Sequence, residues 1–504
     1  MTGPKATGRA RAARPDETII VSNRLPMTVQ FDSGAVRLRP SSGGLATGLR
    51  RLRARPARPW IGWPGVALDP SSSLQRELDD QLAASVSHGV SLSEAEITGY
   101  YRRFANGLLW PLLHDQNPGG VAKPADWIDY QAVNRRFADV VLTELRAGDR
   151  VWIHDYHLML LPRMLRQRRP DIRIAFFLHT PFPDTSVLSS CPKAGALLDG
   201  MLGADVVGFH TREYVQRFAA LVSDLLGRPA QLVSGSGVVD DLGRPVTVHS
   251  CPMGIDEARF SELAADPGVL VRAAAIRRQS NPLFVGIDRL DPTKGIPERL
   301  QAFGRLLEIR PELQGHARMI QLAVPSREEI PAYRALRTRV EAMVDELNAR
   351  FGNGRWKPVE YTYGTLAEPE LVALYRAADI MLVTPLRDGM NLVAKEFVAS
   401  RTDDAGVLVL SRQAGAASEL TAALLVDPAD PEALALGYAA ALDMSPAERR
   451  VRMRRLRARV KAHDVHRWAA ECLAQLEAVR RTPSGYREPG TAPCGPKRAM
   501  RGFP

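Results

Sequence analysis

Short apolar runs without polar interruption recur along the chain, each followed by a stretch of helical spacing: ETIIVSN (17–23), DRVWIHD (149–155), RIAFFLH (173–179) and ADVVGFH (204–210). The pattern restarts after Pro252 with NPLFVGID (281–288), ARMIQLAVP (317–325), DIMLVTP (379–385), AGVLVLSR (405–412) and AALLVDP (422–428). Strands that are apolar on both faces and alternate with helices belong to parallel sheets covered on both sides. The restart predicts an α/β fold of two Rossmann-like domains, with a ligand cleft between the two sets of strand ends. The boundary falls near Cys251–Asp256. Residues 17–252 form the first domain on this reading and 253–463 the second. A C-terminal helix over 464–481 packs back on the first. Residues 1–16 (basic) and 482–504 (rich in Pro, Gly and charge) read as disordered tails.

Length supports the division, because 504 residues exceed what one core sustains. Apolar content of 45% and charge of 24% are those of an ordinary globular protein. No run reaches the length of a membrane-crossing helix, and the N-terminus has no apolar segment of the secretory kind, so no membrane association is expected. Cys191, Cys251, Cys472 and Cys494 form no CxxC pair. Neither a disulfide framework nor a zinc site is expected, and a reducing cytoplasm fits. The net charge of +11 raises nucleic acid as a partner. Much of the excess lies in the N-terminal tail and in RRVRMRRLRARVK (449–461), whose helical spacing reads as a solvated face. No nucleic-acid-binding motif accompanies it, so no nucleic acid is expected, and phosphorylated substrates suit the same charge.

Candidate chemistry clusters at strand ends. In MLVTPLRDGMNLVAKEF (381–397) a buried strand gives way to a charged turn and then to a helix N-terminus. Ligands of open α/β sheets bind at carboxyl ends of strands, and helix N-termini attract anions. Asp388 and Glu396 would offer acceptors to sugar hydroxyls beside free backbone N–H groups; an ordinary charged turn is the alternative. In DRLDPTKG (288–295), Arg289 and Lys294 bring two fixed cations to a glycine turn, suited to a departing diphosphate or to a surface ion pair. SSGGLA (41–46) is a glycine turn opening a helix, which lets backbone approach a phosphate or serves as a plain loop. Asn23-Arg24, His154-Asp155, His179, His210, Asp288 and Asp388 all end strands, and their convergence points to one cleft. Tyr100, Tyr101, Trp60, Trp63 and Trp110 are either core aromatics or platforms for sugar rings. A Walker-type phosphate loop, a GxGxxG after a strand, a DxD pair and HExxH are all missing from the sequence. No metal or other cofactor is expected.

Nine ordered blocks together resemble the trehalose-6-phosphate synthases, retaining glycosyltransferases of the GT-B fold: SNRLP (22–26), SSGGLATG (41–48), WIGWPG (60–65), YYRRFANGLLWPLLH (100–114), VWIHDYHLMLLP (151–162), FFLHTPFP (176–183), DRLDPTKGIPER (288–299), VPSREE (324–329) and TPLRDGMNLVAKEF (384–397). The resemblance runs from about Ile19 to about Leu476. It implies an acceptor-binding first domain and a second domain for a nucleotide sugar, either UDP-glucose or GDP-glucose. Arg289 and Lys294 would grip the donor diphosphate, and Gly44 would face it. Asp388, with the backbone of Met390, Asn391, Leu392 and Val393, would hold the transferred glucose. His179 would touch the same sugar, and Glu396 would bind the ribose. Arg24, Tyr101, Trp110 and Arg327 would receive the phosphate of glucose 6-phosphate, while Trp63 and Asp155 line the acceptor sugar. Asp155 and His179 would join Arg289 and Lys294 at the catalytic centre. The blocks depart from the family only by the N-terminal extension and a longer first loop, Met27–Pro40. The donor base and the oligomeric state, a homo-oligomer included, stay open. So does a related transferase with another acceptor or donor.

Overall fold

The computed structural model describes residues 17–32, 35–41, 48–49, 58–118, 123–279 and 281–479. Both tails, most of the SSGGLATG block and Cys494 lie outside the described residues. Among the described residues, the first sheet has nine strands in the order Ser87–Gly89, Trp60–Trp63, Ile19–Arg24, Arg150–His154, Arg173–Phe177, Val206–Phe209, Arg244–Ser250, Ser236–Asp241 and Ala230–Val233. The second has six: Val359–Tyr363, Arg318–Val324, Leu283–Arg289, Ile380–Val383, Val407–Ser411 and Leu424–Val426. Each predicted apolar run is a strand, and the central ones are buried along almost their whole length because helices cover both faces.

Two differences from the sequence reading stand out. The first sheet is not wholly parallel, since Ser236–Asp241 runs antiparallel to both of its neighbours. The segment Met27–Pro40 is not a loop but an antiparallel hairpin of Met27–Asp32 and Ala35–Pro40. Its alternation (MTVQFD, then AVRLRP) is the period of a half-buried strand, which a search for unbroken apolar runs passes over.

The chain leaves the first sheet at Ser250 and starts the helices of the second half at Glu257. It returns after helix Pro446–Ala462, and the two crossing segments touch: Val465 N–H donates to Ile255 O at 3.0 Å. A Cβ on Gly254 would stand 2.3 Å from His463 O, so only glycine fits there. Helix Val465–Ala478 then packs on the first sheet. Trp468 is buried against Trp152 and Phe177, with ring centroids 5.1 and 5.3 Å away. Glu477 pairs with Arg150 and, at 2.6 Å, with Arg173. In helix Pro446–Ala462, Arg452 pairs with Glu448, Arg454 and Arg457 with Asp404, and Arg459 with Glu419. These intrachain partners account for much of the basic run. No helix among the described residues is long and apolar enough to cross a membrane.

The anchoring of the C-terminal helix gives a stability prediction. Trp468→Ala should lower unfolding free energy by about 3–5 kcal/mol, as for other buried tryptophans. A urea midpoint equal to that of the parent would contradict it.

Candidate active site

The turn after strand Ile380–Val383 is organised by Asp388. Its Oδ1 accepts the backbone N–H groups of Met390 (3.3 Å) and Asn391 (3.2 Å). Its Oδ2 accepts Asn391 Nδ2 at 3.0 Å and Lys294 Nζ at 2.5 Å. Burial alone would raise the Asp388 carboxyl above its ordinary range, but Lys294 and Asn391 more than offset it and hold the group low. Asn391 takes a left-handed conformation (φ +59°) and caps helix Leu392–Ser400 by accepting the Ala394 N–H. Leu392 and Val393 form the first turn of that helix. Glu396, one turn further along, accepts from Tyr375 OH at 2.8 Å. A Cβ on Gly389 would stand 2.1 Å from His179 O, so this glycine lets the second half close against the first. Tyr214 of the first half adds a hydrogen bond to Asp388 O at 3.3 Å.

Lys294 ends a single 3₁₀ turn that follows strand Leu283–Arg289, and the next residue, Gly295, has φ +65°. The buried carboxylate of Asp291 is central to this segment. It accepts from Thr293 N and Oγ1, from Tyr333 OH at 2.8 Å and from Arg327 Nη1 at 3.0 Å. Trp110, from the first half, reaches it through Nε1 at 3.4 Å. Burial opposes its charge, yet the fields of Arg327, Arg289 and Lys294 hold it well below the ordinary carboxylate range. Arg327 has φ +47° and also reaches Tyr156 OH at 3.2 Å. Its guanidinium lies 4.1 Å from the Trp110 ring centroid, and that of Arg289 lies 5.4 Å from the same centroid. Arg289 is exposed at its strand end and has no ion-pair partner among the described residues.

The first half supplies the facing wall. Arg24 lies over Trp63 at 4.8 Å, in space that a Cβ on Gly65 would occupy. Trp63 meets Tyr101 edge-on at 5.3 Å, and Tyr101 stacks on His157 at 5.7 Å. Burial, with the charges of Arg327 and Arg24 added to it, holds the His157 imidazole well below its ordinary range. Tyr101 lies within a π-helical stretch, Ile97–Leu109, and Trp110 directly follows it, its N–H closing on Ala105 O. Asp155 has φ +76° and accepts the His179 N–H at 3.2 Å. Burial pushes its carboxyl up to about 6, against the pull of the Tyr156 and His179 N–H groups and of Arg289 and Arg327. His154 Nδ1 lies 3.1 Å from His179 Nε2.

The structure therefore gathers Arg24, Trp63, Tyr101, Trp110, Asp155 and His179 opposite Arg289, Lys294, Arg327, Asp388, Met390, Asn391, Leu392 and Val393. Gly44 lies outside the described residues. Asp288 does not face the cleft: it is buried and paired with Arg299, which also bonds Thr384 and Gln321. Trp60 and Tyr100 are core residues, tied to Ser22 and Asn23. Sequence reasoning did not single out Asp291, Tyr156 or Tyr333. Asp291 stands inside the DRLDPTKG block, and its proline and glycine neighbours were the available signal. An open groove of about 700 Å³ lies elsewhere, lined by Arg318, Glu341, Trp356 and Tyr361 among others. No residue of the cleft lines it. Among the described residues, no group of three or more His, Cys, Asp and Glu side chains is arranged to hold a metal ion.

The family model of glycosyltransferase family 20 matches residues 16–478. A trehalose-6-phosphate synthase of Mycolicibacterium smegmatis is 41% identical over 490 residues, covering 94% of this chain and 95% of that protein. The crystal structure of a UDP-forming α,α-trehalose-phosphate synthase from Burkholderia xenovorans, in complex with glucose-6-phosphate, superposes with a TM-score of 0.82. It is 33% identical and covers 92% of this chain and 100% of its own. An E. coli structure described as trehalose-6-phosphate bound with UDP-2-fluoro glucose gives a TM-score of 0.81 at 32% identity, covering 92% and 99% of the two chains. The two facing α/β halves are thus those of the GT-B fold.

Asp155 yields a pH prediction. Its folded pKa of about 6 stands above the ordinary aspartate value of 3.8, so the folded state binds the proton more tightly and stability falls as pH rises from about 4 to about 6. Asp155→Asn removes the buried charge. Its melting temperature should match the parent near the low end of that window and exceed it by a few degrees at neutral pH. Equal melting temperatures at neutral pH would contradict the assignment.

Proposed function

The chain belongs to glycosyltransferase family 20, and from that premise we propose that it transfers glucose from a nucleoside diphosphate glucose to glucose 6-phosphate, giving α,α-1,1-linked trehalose 6-phosphate. The observation that carries this reading is the pair of guanidiniums, Arg289 and Arg327, beside one indole and one buried carboxylate. Two anionic substrates must enter a single cleft. Arg289 with Lys294, and Arg24 with Arg327, provide two cationic groups near enough for the bound sugars to meet. The glucose 6-phosphate held by the B. xenovorans relative and the UDP-2-fluoro glucose of the E. coli relative support both substrate assignments.

On this reading the donor diphosphate lies against Arg289 and Lys294, with its glucose between Asp388 and His179. Glu396 takes the ribose. The acceptor phosphate lies among Arg24, Tyr101, Trp110 and Arg327, and its sugar faces Trp63 and Asp155. The bond between the anomeric carbon and the diphosphate oxygen breaks toward an oxocarbenium-like state. Arg289 and Lys294 stabilise the charge that develops on the leaving group. The departing phosphate accepts the proton of the acceptor's anomeric hydroxyl while that oxygen attacks the same face. Configuration is retained without a covalent glycosyl-enzyme, and the paired carboxylates of retaining glycosidases have no counterpart in this scheme. The two cations fill the role that a metal ion has in other transferases. Closure of the halves excludes water, which favours transfer over hydrolysis.

UDP-glucose is the proposed donor, with GDP-glucose as the second choice. A panel of UDP-, GDP- and ADP-glucose with glucose 6-phosphate, scored for nucleotide release and for disaccharide phosphate, tests the reading. No disaccharide phosphate from any donor would overturn it. Arg289→Ala should lower turnover by roughly a hundredfold, the cost of losing a charge-stabilising donor. Arg327→Ala should chiefly raise KM for glucose 6-phosphate. A normal acceptor KM with lost donor binding would reverse the two assignments.

A further inference from the structure

Two buried histidines, His154 and His210, pack against the ring of His179, with centroids 5.3 and 5.5 Å away. His154 meets its ring, Nδ1 to Nε2, at 3.1 Å. His210 packs edge-on against the same ring, while its own Nδ1 accepts the Met253 N–H at 3.3 Å. A neutral ring whose Nδ1 accepts carries its proton on Nε2, and His210 in this form links the crossing segment at Met253 to the ring of His179.

The ring-to-ring contact has two possible polarities, and burial decides between them. If His179 donated from Nε2, His154 would accept at Nδ1 and carry its proton on Nε2. That Nε2 is buried and has no hydrogen-bond partner among the described residues. His154 is fully buried between Trp152 and Trp468, with ring centroids 4.6 and 6.4 Å away. An orphaned buried N–H is rarer and costlier than an orphaned acceptor. The favoured arrangement has His154 donating from Nδ1 to His179 Nε2, leaving the second proton of the pair on His179 Nδ1.

We propose that His154 is a positioning residue that holds His179 as its Nδ1–H tautomer, so that this half-buried ring meets the donor sugar as a hydrogen-bond donor. The inference rests on the reading of His179 as a sugar contact. It adds a specificity consequence: the ring recognises an oxygen acceptor on the transferred sugar, and a ligand offering only a donor there is disfavoured.

Long-range ¹H–¹⁵N spectra of the uniformly labelled full chain test this directly, with the His179 signals assigned by their loss in His179→Gln. The expected result is a protonated, pyrrole-type Nδ1 and a bare, pyridine-type Nε2. The reverse pattern, or rapid averaging of the two, would overturn the proposal. Two variants add a functional readout. His154→Asn keeps an N–H near the Nδ1 position and should retain kcat within about threefold, whereas His154→Phe should lower kcat about tenfold, the worth of one hydrogen bond, with KM for glucose 6-phosphate unmoved. Equal kcat values for the two variants, when both melt as cooperatively as the parent, would also overturn it. The expected tautomer in a protein that transfers glucose from no nucleotide donor would instead refute the functional reading and leave the histidine arrangement standing.

Discussion

The cleft depends on the buried carboxylate of Asp291. Three cations surround it, and each would repel the others if that carboxylate were neutral. Asp291 engages Arg327 directly, feels Arg289 and Lys294, and accepts Trp110 Nε1 from the opposite half. A buried charge is tolerated only when paired and hydrogen-bonded, and removing one partner of such a set typically costs about 3–5 kcal/mol. Asp388 repeats the arrangement for Lys294 on a smaller scale. The site thus keeps its positive groups close together by burying two anions among them. Surplus charge remains on exposed Arg289 and Arg24, where phosphorylated ligands would arrive.

Backbone strain accompanies this electrostatic arrangement. Asp155, Arg327 and Asn391 all adopt positive φ, a conformation uncommon for residues other than glycine. Each is held by neighbours that over-determine it. The Asp155 N–H donates to Phe177 O, Arg327 is fixed by Asp291 and Tyr156, and Asn391 is bonded to Asp388 and caps its helix. Both halves also converge on the crossing segment at one residue. Lys395 donates to Met253 O at 2.7 Å, and the Met253 N–H donates to His210. The helix behind Asp388 and the ring beside His179 therefore share one anchoring residue, placed where the chain passes between the halves.

The sheets were legible because their strands are buried on both faces, which leaves runs such as IAFFL and IMLV with no polar punctuation. The hairpin was not, because Thr28, Gln30 and Arg37 face solvent and break any run that Val29 and Val36 would form. Site residues were legible where chemistry coincides with a strand end, as at Arg289, His179 and Asp388. Asp288 misled for the same reason, since a carboxylate at a strand end points to either side of the sheet and this one meets Arg299 in the core. The aromatic blocks divided along similar lines: in WIGW, Trp60 bonds Ser22 inside the core while Trp63 carries Arg24. The link from Asp291 to Arg327 and Tyr333 joins residues 36 and 42 positions apart, and the link to Trp110 spans 181. Spacing along one sequence does not encode such pairs.

The most direct measurement of this account is a crystal structure of the protein with glucose 6-phosphate and a nucleoside diphosphate bound together. It should show the sugar phosphate on Arg24 and Arg327 and the diphosphate on Arg289 and Lys294, with Trp110 between the two anions and the Asp291–Arg327 pair intact. Both anions on a single cationic group, or an Asp291 carboxylate released from Arg327 on binding, would contradict it.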